Sequence, residues 1–134
     1  MMHVDSSRVL DASRDAVWRI VADPARLVDW VPTAHHVRPV DAEDVHLEGE
    51  SHGHRYAITS AFHADEAQRR LDWSAPDVPG YQGSLQVVDR DGASEVQLHL
   101  TIPDDKFPAS DEVVAEIQRG TEEAFDRLQA LVGS

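Results

Sequence analysis

The chain contains no cysteine, so neither a disulfide framework nor a thiolate metal site is available to it. Lysine is nearly missing too: one lysine stands beside eleven arginines, and 25 acidic residues against 12 basic ones leave a net charge of −13. Such a surface repels phosphate backbones and anionic lipid headgroups, which sets nucleic-acid binding aside. No run approaches the roughly 18 consecutive apolar residues of a membrane span, so stable membrane insertion is not expected. The first residues lack the basic and then apolar pattern of a secretory signal, and a cytoplasmic location is the default expectation. There is no internal repeat, low-complexity tract, glycine-rich phosphate loop, nucleophile motif or paired-carboxylate signature. Only Ala75-Pro76-Asp77-Val78-Pro79-Gly80 is rich in both proline and glycine, and it reads as an exposed loop.

What is present is orderly. A length of 134 residues suits one domain, 1–134, that buries roughly two-thirds of the surface its unfolded chain exposes. Val9 and Leu10 end an apolar strand that begins near residue 3, and Ser13 is placed to cap a helix with Asp15 in its first turn. Val17, Ile20 and Val21 share one face of that helix, and Trp18 borders it. Asp23-Pro24 breaks the helix, and Leu27, Trp30 and Val31 suit a second short helix ended by Pro32.

From there to about residue 103 the period becomes two. Strands are expected near 34–40, 44–49, 54–63, 68–75, 81–89 and 94–102, seven in all with the first. Asp41-Ala42-Glu43 and Ser51-His52-Gly53 separate the early strands, and Asp89-Arg90-Asp91-Gly92 is a hairpin turn in which Gly92 supplies a positive φ. The helical period returns after Ser110, a cap candidate followed by Asp111 and Glu112. Val114, Ile117, Thr121, Phe125, Leu128 and Val132 then form one stripe ended by Gly133. About 22 residues at 1.5 Å each make a helix of roughly 33 Å, the length of a ten-residue strand, so it can lie along the sheet.

Asp11-Ala12-Ser13, Val17-Trp18, Asp23-Pro24, Leu27, Trp30 and Pro32, in that order, resemble the opening of the START-related helix-grip (SRPBCC) superfamily, especially its polyketide cyclase/dehydratase-like branch. The resemblance implies an α+β helix-grip fold: a seven-stranded antiparallel sheet wrapped around a long C-terminal helix, with two short helices after the first strand. It also implies a cavity between sheet and helix, entered near the N-terminal half of that helix. Such a cavity binds a small hydrophobic or amphipathic molecule: a lipid, a polyketide or an aromatic metabolite. No cofactor is called for. Cyclases of the family use interior arginine, tyrosine or serine to bend and dehydrate a substrate chain.

In a sheet covered on one face, alternate residues point inward. The inward set is Tyr56, Ile58, Ser60 and Phe62, then Leu71 and Trp73, then Leu85 and Val87, and finally Val96, Leu98, Leu100 and Ile102; no arginine falls in it. Gln86, Gln97, His99 and Thr101 face outward, as does His63. The expected ligand contacts are Trp30, Tyr56, Ile58, Phe62, Trp73, Leu85, Val87, Leu98 and Leu100, with Ile117, Thr121 and Phe125 from the helix. Tyr56 and Trp73 stand out because each joins a flat apolar body to a polar handle. For catalysis, His54, Tyr56 and Ser60 share a parity and are the candidate proton-transfer groups. His52-Gly53-His54 brings two imidazoles together, but no further ligand motif accompanies them, and no metal site is assigned. Three readings follow: a carrier of a hydrophobic molecule, a cyclase or dehydratase, and an interaction module with a filled core that works through its acidic surface. An apolar cavity, a cavity with buried polar groups and a closed core separate them in that order.

Overall fold

Asp91 and Gly92 both carry a positive φ, 53° and 92°, and this two-residue turn folds strand β6 (Gln82–Arg90) onto β7 (Ala93–Ile102) with Arg90 opposite Ala93. The antiparallel pairing continues across the computed structural model, which describes residues 2–32, 34–40, 44–51, 54–75, 80–103 and 111–132. At 39, 50, 51, 54–56, 58, 111–114 and 116 only the backbone path is described. β1 (Met2–Leu10), β2 (Ala34–Pro39), β3 (Asp44–Ser51), β4 (His54–Asp65) and β5 (Arg70–Ser74) complete a seven-stranded sheet in the order β1-β7-β6-β5-β4-β3-β2. Each strand lies within two residues of its expected limits. The turn residues at 41–43, 52–53 and 76–79 lie outside the described residues, as do Ser110 and Gly133 beyond the ends of the last helix.

Two short helices follow β1. Ser13 Oγ accepts the Ala16 N–H at 3.2 Å and starts α1 (Arg14–Val21), which buries Val17, Trp18, Ile20 and Val21. Asp23 accepts the Ala25 N–H at 3.1 Å, opening a single 3₁₀ turn at Pro24–Arg26 that leads into α2 (Leu27–Trp30). The long helix α3 (Asp111–Val132) crosses the inner face, where Thr121, Ala124, Phe125 and Leu128 are buried. This is the helix-grip fold. Among the described residues no helix is long and apolar enough to cross a membrane.

The inner face alternates as expected. Leu71, Leu85, Val87 and Val96 are buried, while Gln97 and His99 on the opposite parity are exposed. β4 keeps the same parity, with Ser60 buried and Ala57 exposed. One inward position departs from the sequence reading, which places no arginine there: Arg8 pairs with Val96 on the inner side of β1. Its guanidinium lies over the Phe125 ring, 5.5 Å from the centroid, and its ends reach Glu122 and Asp126 on α3. The hydrogen bond to Asp126 raises the Arg8 pKa above its ordinary value, burial works against it, and Glu122 adds to the rise. An arginine is tolerated there because the stem lies along the apolar seam and the head emerges at its margin.

Ser94 is fully buried, and its hydroxyl has no hydrogen-bond partner among the described residues. Removing a desolvated, unpaired hydroxyl stabilises a core, so Ser94→Ala should gain about 1 kcal/mol and raise the melting temperature by roughly 3–4 °C. A calorimetric scan checks this, and a lower melting temperature would mean that the hydroxyl is satisfied in solution.

Candidate functional site

Across β4, β5, β6, β7 and β1 the register aligns Phe62, Trp73, Gly83, Leu100 and Val4 in one inward row. Gly83 decides how that row packs. A Cβ at this position would lie 2.3 Å from Trp73 Cε2 and Cζ2 and 2.5 Å from Nε1, so the indole rests directly on the glycine backbone. Phe62 stacks beside it with ring centroids 6.1 Å apart and planes 18° from parallel. Trp73 Nε1 donates to the Tyr81 hydroxyl at 3.4 Å. Tyr81 in turn packs with Leu100 and Ile117 against the small cluster of Met2, Val4 and Ile102. The indole therefore joins that cluster to the main core under α1, α2 and the C-terminal half of α3.

Burial changes along the inner face. Leu85 and Val87 of β6 and Phe125 of α3 are at most 1% exposed, and there sheet and helix are closed on each other. Phe62, Trp73, Leu98, Leu100 and Ile117 face the same interior but remain partly exposed. Large apolar side chains that point inward without being fully covered are the candidate lining of a site between sheet and helix.

The expected contacts therefore divide. Phe62, Trp73, Leu98, Leu100 and Ile117 border the uncovered part, and Leu85, Val87 and Phe125 lie in the closed part. Thr121 is buried with its hydroxyl bonded to the Ile117 carbonyl at 2.9 Å. Trp30 is buried in the main cluster, and its indole N–H has no partner among the described residues. Ser60 is buried and donates to the Ser74 carbonyl at 2.9 Å, so its proton is already committed. The side chains of His54, Tyr56 and Ile58 lie outside the described residues, as does His52. Among the described residues no three histidine or carboxylate side chains converge as a metal site would require.

Sequence reasoning overlooked Tyr81, Gly83 and Arg8. The signals were available. Tyr81 and Gly83 share the parity of Leu85 and Val87, an interior strand glycine marks a close approach, and Arg8 shares the parity of Val4 and Leu10.

The outer face is different in kind. An open depression of about 540 Å³ lies on it, bordered by Asp5, Ser7, Arg70, Ser84, Gln97 and His99; a second, of about 220 Å³, is bordered by residues of both parities in β4, β5 and β6, among them Phe62, Trp73 and Gly83 of the inward row. Most of the charged and amide groups around the larger one are paired with neighbours. Asp5 meets His99, Arg70 meets Asp72 at 3.1 Å, Gln97 donates to Glu95 at 2.7 Å, and Gln86 donates to the Gln68 carbonyl at 3.3 Å. Asp72 raises the Arg70 pKa, and Glu95 is held below its ordinary value first by Gln97 and then by Arg90. A face whose donors and acceptors are mutually paired is a solvated surface, and the inner face remains the candidate site.

Comparison with known proteins agrees with this geometry. Among solved structures, a START superfamily protein from Mycobacterium smegmatis superposes with a TM-score of 0.85 at 15% identity, covering 98% of this chain and 97% of that one. The Zhui aromatase/cyclase from Streptomyces sp. R1128 superposes at 0.81 with 20% identity, covering 98% and 93%. A protein from Thermus thermophilus superposes at 0.82 with 19% identity, covering 98% and 97%. Identities this low speak for the fold alone. No curated protein sequence matches the chain. The profile described as polyketide cyclase / dehydrase and lipid transport matches residues 1–133, and the chain belongs to that family.

Proposed function

We propose that the protein binds a small hydrophobic or amphipathic molecule, a lipid, polyketide or aromatic metabolite, between its sheet and α3. The observation that carries this reading is the set of inward yet partly exposed side chains, Phe62, Trp73, Leu98, Leu100 and Ile117. A polyketide cyclase or dehydratase activity is the second reading, favoured by the description of the family and by the name of the aromatase/cyclase relative. It would draw on His54, Tyr56 or Ser60. Of these, Ser60 first has to give up its bond to the Ser74 carbonyl.

A net charge of −13 disfavours an anionic probe, so the neutral dye N-phenyl-1-naphthylamine is the appropriate ligand. At a free concentration near 100 times its Kd, a ligand confined to the folded state adds about 2.7 kcal/mol of stability. Titration of the purified protein should thus raise the melting temperature by several degrees, and Trp73→Ala should weaken dye binding about tenfold through loss of its aromatic surface. Native mass spectrometry of the unextracted protein should show a retained small molecule. Absence of both the retained molecule and the thermal shift would overturn the carrier reading.

A further inference from the structure

Glycine is the poorest helix former after proline, yet Gly120 stands near the middle of α3. Neither common reason for a glycine applies. Its φ is not positive, and a Cβ built on it meets nothing within 4 Å, the opposite of the situation at Gly83. Position 120 borders open space.

That space has a definite place. Glu122, Asp126 and Gln129 face β1, where they meet Arg8 and the Asp11 N–H. At about 100° per residue, Gly120 lies roughly 160° around the helix from Glu122. It therefore flanks the buried stripe of Thr121, Ala124 and Leu128 on the side turned away from β1, toward the β2 end of the sheet. Val37, Leu47 and Phe62 of that half face the core but are only partly covered, as is Ile117 on the preceding turn of α3.

We propose that Gly120 is the threshold of a lateral entrance between α3 and the β2–β4 half of the sheet, and that its missing side chain sets the width of the passage for a small uncharged amphipathic molecule. The proposal rests on the ligand-binding reading above. It differs from entry at the N-terminal end of α3, because the gap lies along the flank of the helix.

A threshold residue and a lining residue differ in kinetics. Obstruction slows entry and exit by the same factor and leaves the equilibrium unchanged, whereas a lost or gained contact changes the equilibrium. Stopped-flow binding of N-phenyl-1-naphthylamine to wild type, Gly120→Ala, Gly120→Leu and Gly120→Gln separates the cases. Gly120→Leu and Gly120→Gln should lower both the association and dissociation rates about tenfold and leave Kd within about twofold, and Gly120→Ala should bind at nearly the wild-type rate. All three should melt at or above wild type, because each replaces glycine with a better helix former facing open space. Wild-type rates in both bulky variants, or a change in only one of the two rates with the matching shift in Kd, would overturn the entrance. Failure of the wild type to bind the dye at all would remove the ligand-binding reading itself, and the entrance with it.

Discussion

A Phe125→Ala protein should lose about 3–5 kcal/mol of stability relative to wild type, the range for truncating a buried aromatic side chain. Against a typical total of about 5–15 kcal/mol, that loss is large enough to leave the fold marginal. Phe125 is 1% exposed and belongs to the same core as Leu10, Leu71, Leu85, Val96 and Leu128, so its removal opens a void that packed neighbours fill only in part. It also takes away the ring beneath Arg8, and with it the apolar half of the seam between β1 and α3. The melting temperature should fall by roughly 10–18 °C. Phe125→Leu keeps most of the volume and should cost about 1–1.5 kcal/mol. Urea unfolding followed by circular dichroism measures both. A loss below about 1 kcal/mol for the alanine variant would show that α3 does not rest on the sheet at this ring.

The features that the sequence announced are those with a period. Alternation from Tyr81 to Ile102 located β6, β7 and the hairpin turn between them because inward Leu85, Val96, Leu98 and Leu100 are each followed by an outward polar residue. The 3.6-residue stripe from Ile117 to Val132 likewise located α3. What was not legible depends on pairings between distant residues. Arg69 takes a left-handed φ of 51° just ahead of β5, in a turn with no glycine, proline or asparagine to signal it. Its guanidinium joins the nearby Glu66 carbonyl to Asp15 of α1 at 3.0 Å, a partner 54 residues away that only the folded chain brings alongside. Arg8 was hidden for a related reason. An arginine at an inward position makes sense only once Glu122 and Asp126 stand opposite it, more than a hundred residues away. For the candidate site, composition named the aromatic residues, but only the register put Trp73 across from Gly83 and close to Phe62.

Gly83→Ala should be the more informative of the two large perturbations because it acts on stability and on the site together. The added methyl would sit 2.3 Å from two indole carbons, where ordinary contacts begin near 3.4 Å, so something must move by more than 1 Å. The strand is the harder part to shift, since Gly83 is paired with Trp73 on one side and Leu100 on the other. The indole moves instead. It gives up the 3.4 Å bond to Tyr81 and the stacking on Phe62, and it swings into the space between sheet and α3. Overpacking of about 1–3 kcal/mol and an aromatic pair of about 0.5–1.5 kcal/mol oppose the fold, and about 0.5–1 kcal/mol returns from replacing a strand glycine. The net loss should be about 2 kcal/mol, within a span of about 0.5–4 kcal/mol. The same displacement should weaken dye binding, because the ring then occupies the ligand's place. In a Trp73→Ala background the three atoms nearest the methyl are gone, so Gly83→Ala should there be neutral or slightly stabilising. A double-mutant cycle should thus return a coupling of about 2 kcal/mol or more. Additive effects, or a Gly83→Ala protein as stable as wild type, would mean that the indole does not rest on this glycine, and the inner wall of the grip would have to be redrawn.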